Sequence, residues 1–214
     1  MPDYTPPQDP LRVLHDDHEL LIVEKPAGLL SVPGKGPELA DCLLSRVQEV
    51  FPTALLVHRL DRDTSGVMVF GLTPHAQRHL GLQFEKRQVK KTYVARVWGR
   101  LEPRTGIVDL PLTVDWPNRP LQKVCHETGR AAETAWRVHR HGDTESRVRL
   151  FPKTGRSHQL RVHMLSLGHP ILGDPLYASG AALAFPRLML HSEALRLRHP
   201  DGGVGMNFRA KAPF

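Results

Sequence analysis

Cysteine is scarce in this chain of 214 residues: only Cys42 and Cys125 occur. They lie far apart, lack CxxC spacing and cannot hold a metal by themselves. That excludes a disulfide framework and a thiolate metal centre, and a reducing compartment, the cytoplasm, is expected. No apolar run approaches the length of a membrane span, so no membrane partner is expected. The first ten residues are polar, carry four prolines and lack the apolar core of a signal peptide. No GxGxxG follows a strand and no GxxxxGK[ST] is present, so dinucleotide and P-loop chemistry fall away. Thirteen histidines are available, but none sits in HExxH. His75 and His79 are four apart without the glutamate, and His158 and His163 are five apart. No metal and no cofactor are expected.

Positive charge is what the chain has in excess. The net charge is +7 and the isoelectric point near 9.8. Such a balance favours a polyanionic partner, nucleic acid being the commonest; basic proteins that bind no nucleic acid also exist. Cations concentrate in Lys86, Arg87, Lys90 and Lys91, with Tyr93 among them and Arg96, Arg100 and Arg104 beyond. The cluster can neutralise phosphates while the tyrosine stacks on a base, or it can be a solvated strand face with a half-buried ring. Length and an apolar fraction of 40% suit one domain, or at most two small ones.

Residues 1–10 read as an extended arm and residues 11–214 as a single domain. Strands are expected over 19–25, 67–72, 91–98, 107–110, 132–139 and 147–151. Residues 187–198 begin apolar and end as an alternating strand. Tyr93, Ala95 and Val97 should share one face. Helices are expected over 39–50, from Thr73-Pro74 to about Arg87, and over 157–167 with Gly168 as the C-terminal cap. Residues 111–120 read as a Pro-rich loop. Most connections are too short for repeated βαβ crossovers, so the fold expected is α+β, around a mostly antiparallel mixed sheet.

Two polar blocks can carry chemistry. The first is His58-Arg59-Leu60-Asp61-Arg62-Asp63-Thr64-Ser65-Gly66. Asp61 there is either a turn residue or an ionised carboxylate able to act as a nucleophile. A nearby cation would keep it ionised. The second is Gly155-Arg156-Ser157-His158-Gln159-Leu160-Arg161. On a helix from Ser157, Arg161 lies four residues on from Ser157 and three from His158, which puts polar groups on one face. Leu160, Met164 and Leu167 make the opposite, buried stripe. Arg161 is either packed along its stem in solvent or directed at a reactive carboxylate.

These blocks resemble the HRLDxxTSG and GRxHQ[IL]R motifs of the RluA family of RNA pseudouridine synthases. Lys91-Thr92-Tyr93 resembles the family's basic-x-Tyr segment, and Gly168 to Tyr177 its GHPIxGDxxY segment. The order matches over nearly the whole chain. Asp115 to Pro120, Gln122 to Cys125 and Glu127 to Gly129 resemble the small dual-specificity member without an S4 domain, which modifies a tRNA anticodon stem-loop and a 23S rRNA hairpin.

The resemblance implies a pseudouridine synthase fold, no S4 domain, and isomerisation of uridine in structured RNA without a cofactor. Asp61 is then the essential carboxylate, Arg161 its partner and Tyr93 the residue against the base. Arg59 matches the family arginine that enters the gap left by a flipped base. His58, Thr64, Lys91, Arg156, His158 and Gln159 are expected to bind substrate. Arg62 and Asp63 fill open positions of the motif and take no role. A monomer without an obligate protein partner is expected. Two other classes remain open: a glycosylase, which would hydrolyse the same bond with activated water, and an RNA-binding protein without catalysis.

Overall fold

The computed structural model describes residues 4–214; the expected arm falls partly on residues 1–3, which lie outside the described residues. The strands, in chain order, are β1 (Arg12–Asp16), β2 (Leu20–Lys25), β3 (Leu55–Leu56), β4 (Ser65–Gly71), β5 (Lys90–Trp98), β6 (Thr105–Asp109), β7 (Leu112–Val114), β8 (Gln122–Val124), β9 (Glu133–His141), β10 (Glu145–Pro152), β11 (Leu190–Arg198) and β12 (Gly205–Arg209). The helices are α1 (Leu43–Val50), α2 (Pro74–Glu85) and α3 (Gln159–Ser166). This is the expected α+β fold with a mixed sheet. The chain forms two compact units, one up to Lys90 together with Ser192–Pro213, the other Lys91–His191 with Phe214.

In the first unit the strands run in the order β1-β2-β4-β11, with β3 on β4 and β12 on β11. The pairings β1–β2, β2–β4, β3–β4 and β11–β12 are antiparallel. Every residue of β4 is buried, as are Leu20 to Val23 of β2. Unbroken apolar runs of this kind are what a strand covered on both faces requires. Leu20, Ile22, Val67 and Val69 pack with Leu80 of α2 and with Leu195 and Leu197 of β11. Thr73 caps α2, its side chain accepting from Ala76 N–H at 3.0 Å, with Pro74 next. Near β1, Asp17 accepts from His15 and His199 at 2.9 and 3.1 Å and from two backbone N–H groups. Burial opposes its charge, but the bonds from His15, Leu20, Glu19 and His199 outweigh it and hold the carboxyl well below the usual range.

The second unit orders its strands β5-β10-β9-β6 and carries β7–β8 as a separate two-stranded ribbon. Tyr93 lies opposite Leu150, and Ala95 opposite Val148. Together with Val97 these pack against Leu160 and Met164 of α3, so the predicted shared face is the core face.

Three expectations need correction, besides strands for which none was stated. The helix expected over 39–50 is shorter, because Cys42 and Ser45 form a capping box that starts α1 at Leu43; a 3-10 turn, Pro37–Leu39, precedes it. The loop expected over 111–120 contains β7 and a 3-10 turn, Trp116–Asn118. Strands β1 and β12 had no periodic signal of their own. Finally, α3 is not amphipathic: every residue from Gln159 to Met164 is buried. Its polar side chains are satisfied inside the protein.

Candidate active site

The Asp61 loop joins β3 to β4. It is held mainly through its backbone. Lys25, with none of its surface exposed, donates its ammonium to Pro26 O, Leu29 O and Arg62 O at 2.9, 2.7 and 2.7 Å. Gly28 N–H also donates to Arg62 O at 3.0 Å. Ser31 grips the neighbouring residue twice, its hydroxyl donating to Leu60 O at 2.7 Å and accepting from Leu60 N–H at 3.1 Å. Thr64 N–H donates to Asp61 O at 3.1 Å, closing the turn that presents the carboxylate. Gly66 ends the motif with φ 119°, and a Cβ there would lie 2.3 Å from Ser192 O, so no larger residue fits.

The side chains of this loop divide. His58 Nε2 accepts from Val69 N–H at 3.1 Å and the ring stacks on Phe84 at 4.6 Å. Thr64 is buried and Arg59 exposed. Arg62 pairs with Asp63 through two bonds of 2.8 and 3.0 Å.

In the second unit α3 is fixed by its side chains. Arg161 and Asp174 form a bidentate pair of 2.8 and 2.6 Å, with side chains only 3% and 0% exposed. Asp174 also accepts from Leu176 and Tyr177 N–H at 2.9 and 3.2 Å. Gly173 precedes it at φ 68°, where a Cβ would meet Arg187 O at 1.9 Å. The Arg161 guanidinium lies over the Tyr177 ring at 5.1 Å. The Tyr177 hydroxyl bridges His158 Nδ1 at 2.7 Å and Gln122 N–H at 2.8 Å.

Gln159 is the centre of a buried polar chain. Its Oε1 accepts from the Thr154 hydroxyl at 2.8 Å and from Arg156 N–H at 3.0 Å. Its Nε2 donates to Glu133 O and Thr134 Oγ1, both at 3.0 Å. His163 continues the chain, bonded to Thr134 Oγ1 and, through Nε2, to Leu110 O at 3.0 and 3.1 Å. Burial pushes the His163 pKa down, partly offset by the Leu110 bond. Lys91 donates to Thr154 O at 2.7 Å, and Arg156 Nε to Ala131 O at 3.2 Å.

The structure therefore gathers His58, Arg59, Asp61 and Thr64 in one loop, and Lys91, Arg156, His158, Gln159 and Arg161 around the start of α3. It corrects one expectation: Gln159 uses all four of its hydrogen-bonding positions within the protein, so it orders α3 and has none left for RNA. Lys25 and Ser31, which hold the loop, and Asp174 and Tyr177, which order α3, were not among the expected residues. Asp174 and Tyr177 stand in the Gly168 to Tyr177 motif, which was the available signal; a lysine ending an apolar strand gave none. Among the described residues, no cluster of three His, Cys, Asp or Glu side chains could hold a metal.

A family profile described as RNA pseudouridylate synthase matches residues 19–166. The chain belongs to this family: it is an RNA pseudouridine synthase, an isomerase that converts uridine in RNA to pseudouridine. It is 55% identical to the dual-specificity RNA pseudouridine synthase RluA of Escherichia coli K12, over 100% of this chain and 99% of that one. The RluA proteins of Yersinia pestis and Vibrio vulnificus are 55% and 51% identical over 94% of this chain, and over 99% and 83% of their own lengths. Among solved structures, human RNA pseudouridylate synthase domain containing 1 superimposes with TM-score 0.79 at 27% identity, covering 95% of this chain and 84% of that one. The human domain-containing 4 protein gives 0.76 at 26% identity, over 94% and 88%. Among the described residues, no helix is long and apolar enough to cross a membrane.

Proposed function

We propose that this isomerase has dual specificity, modifying a tRNA anticodon stem-loop and a 23S rRNA hairpin in the cytoplasm, as a monomer without an obligate protein partner. The observation that carries this reading is end-to-end likeness to relatives that are named as dual-specificity enzymes. The reaction breaks N1–C1′, turns the uracil and joins C5 to C1′. The C5 proton is lost and N1 gains one, so nothing is oxidised and no water is consumed. Residues 11–214 act as one catalytic domain.

Asp61 is the essential carboxylate of this proposal. Three routes are open to it: attack on C1′, attack on C6, or removal of a sugar proton to give a glycal. Arg161 is the partner that aims Asp61; the Asp174 pair uses two of its five N–H donors and fixes its plane. Tyr93 stacks on the uracil. A base inside a stem cannot be reached, so the nucleotide leaves the stack, and exposed Arg59 fills the gap. His58, Thr64, Lys91, Arg156 and His158 shape the substrate site, through contacts that already tie them to the protein.

Incubation with unmodified tRNA and 23S rRNA fragments, followed by mapping at nucleotide resolution, tests the reading. Pseudouridine in both RNAs is expected, with uracil retained. Modification of only one RNA would remove the dual specificity, and free uracil would mean hydrolysis. RNA affinity should fall with salt, each neutralised phosphate adding about 0.7–0.9 to the slope of log K against log salt.

A further inference from the structure

The ribbon β7–β8 carries the most exposed tryptophan of the chain. Trp116 is 66% exposed, although a free indole in water forfeits a large apolar contribution. The side chain is not loose. Arg119 lies over it, Cζ 3.4 Å from the ring centroid. The turn beneath is closed by Asp115 N–H to Leu121 O, Asn118 N–H to Asp115 O and Leu121 N–H to Asn118 O, at 2.9 to 3.0 Å. Asp115 is itself held by Asn118 at 2.9 Å and Lys123 at 3.1 Å. One face of the indole is thus backed by a cation while most of the ring remains in solvent.

The root of the ribbon is equally defined. Leu112 packs with Val162 of α3 and Ala132, and Val124 and Tyr177 pack against them. Gln122 N–H donates to the same Tyr177 hydroxyl that meets His158, and the Tyr177 ring lies under the Arg161 guanidinium. The ribbon is therefore seated on the residues that order the Arg161 helix.

We propose that the β7–β8 ribbon is a base-stacking finger, in which the indole of Trp116, backed by Arg119, takes an unpaired nucleobase of the substrate RNA. An aromatic plane with an adjacent guanidinium is the pairing that stacks on splayed bases. Arg119 and Lys123 outnumber Asp115 on the turn and suit a phosphate backbone, as does the chain's net charge of +7. The proposal rests on the reading that structured RNA is the substrate. It adds a contact away from the uridine being isomerised.

The test uses the full chain, an unmodified anticodon stem-loop transcript, and acrylamide quenching of tryptophan fluorescence with Trp116→Phe as the reference for the other two tryptophans. Saturating RNA should shield the Trp116 emission. Trp116→Ala should weaken RNA binding about 5- to 140-fold, the range for one stacked base, and raise KM more than it lowers kcat. Trp116→Phe keeps a ring and should fall much less. Unchanged affinity in Trp116→Ala, or an indole equally quenched with and without RNA, would overturn the finger. So would shielding that grows with protein concentration in the absence of RNA, which would make the ribbon a contact between copies of the chain. The two readings fail separately: absence of pseudouridine in any RNA counts against the substrate assignment, whereas the quenching and affinity series read the finger alone.

Discussion

The Asp61 loop and helix α3 are both polar segments next to an apolar core, and they are fixed by opposite means. The loop is held by its backbone: one buried ammonium, from Lys25, collects three carbonyls, and Ser31 brackets Leu60. The helix is held by its side chains: Gln159 and His163 both end on buried Thr134, and Arg161 on buried Asp174. The difference separates two kinds of motif residue. Replacing Asp61 or Arg59 removes none of the backbone bonds that fix the loop. Replacing Arg161 or Gln159 removes part of the fold, and any loss of activity then mixes two effects.

The largest effect should come from breaking the helix side of this contrast. Arg161→Met leaves Asp174 charged in a site with no exposure, which costs about 3–5 kcal/mol, and activity should vanish with stability. The double variant Arg161→Met/Asp174→Leu removes both charges and should recover much of the denaturation midpoint, yet remain inactive. Recovered activity in the double variant would show that the arginine serves the fold alone.

Lys25→Met should destabilise the first unit by roughly 2–4 kcal/mol, because buried carbonyls lose their donor. Hydrogen exchange should rise first at Leu60 and Thr64. Unaltered exchange there would mean that Gly28 and Ser31 suffice to hold the loop.

A smaller effect should appear on acidification. His163 has a folded pKa below its unfolded value, so the neutral form is the folded one. Its contribution is complete above about pH 6.5 and is lost as pH falls towards the folded pKa, since the unfolded chain then binds the extra proton. The slope is at most about 1.4 kcal/mol per pH unit for one group. Urea melts at pH 7.5 and 5.5 should show the loss, and His163→Gln should show less of it.

The smallest stability change is expected for Tyr93→Phe, which keeps the ring half-buried beside the core of the second unit. Tyr93→Phe should bind RNA normally, and its single-turnover rate reports whether the hydroxyl assists loss of the C5 proton. Tyr93→Ala should lose the stacking and most of the rate. Near-parental rates in Tyr93→Ala would place the tyrosine outside the reaction.

Much of the fold was legible because its signals are local. Alternation marked β5, β9 and β10, an unbroken apolar run marked β4, and Thr73-Pro74 marked the start of α2. Helix α3 was legible as a helix and misread as amphipathic. Periodicity records which residues are apolar, whereas Gln159 and Arg161 are buried by partners more than ten residues away, Asp174 and Glu133 among them. The same limit hid Lys25, whose acceptors are backbone atoms with no sequence identity. Strands β1 and β12 are edge additions whose pairing is set by β2 and β11. The motif residues were visible as a set; their division into a loop held through its backbone and a helix held through its side chains required the structure.

Asp61 is the carboxylate on which the proposed isomerisation depends. Single-turnover pseudouridine formation by the parent and by Asp61→Asn, on the same anticodon stem-loop transcript with RNA affinity measured in parallel, tests it most directly. The amide is nearly the same size and cannot serve as a carboxylate nucleophile or base. Parental affinity with no detectable pseudouridine in Asp61→Asn is the predicted result. A rate near that of the parent would contradict the account.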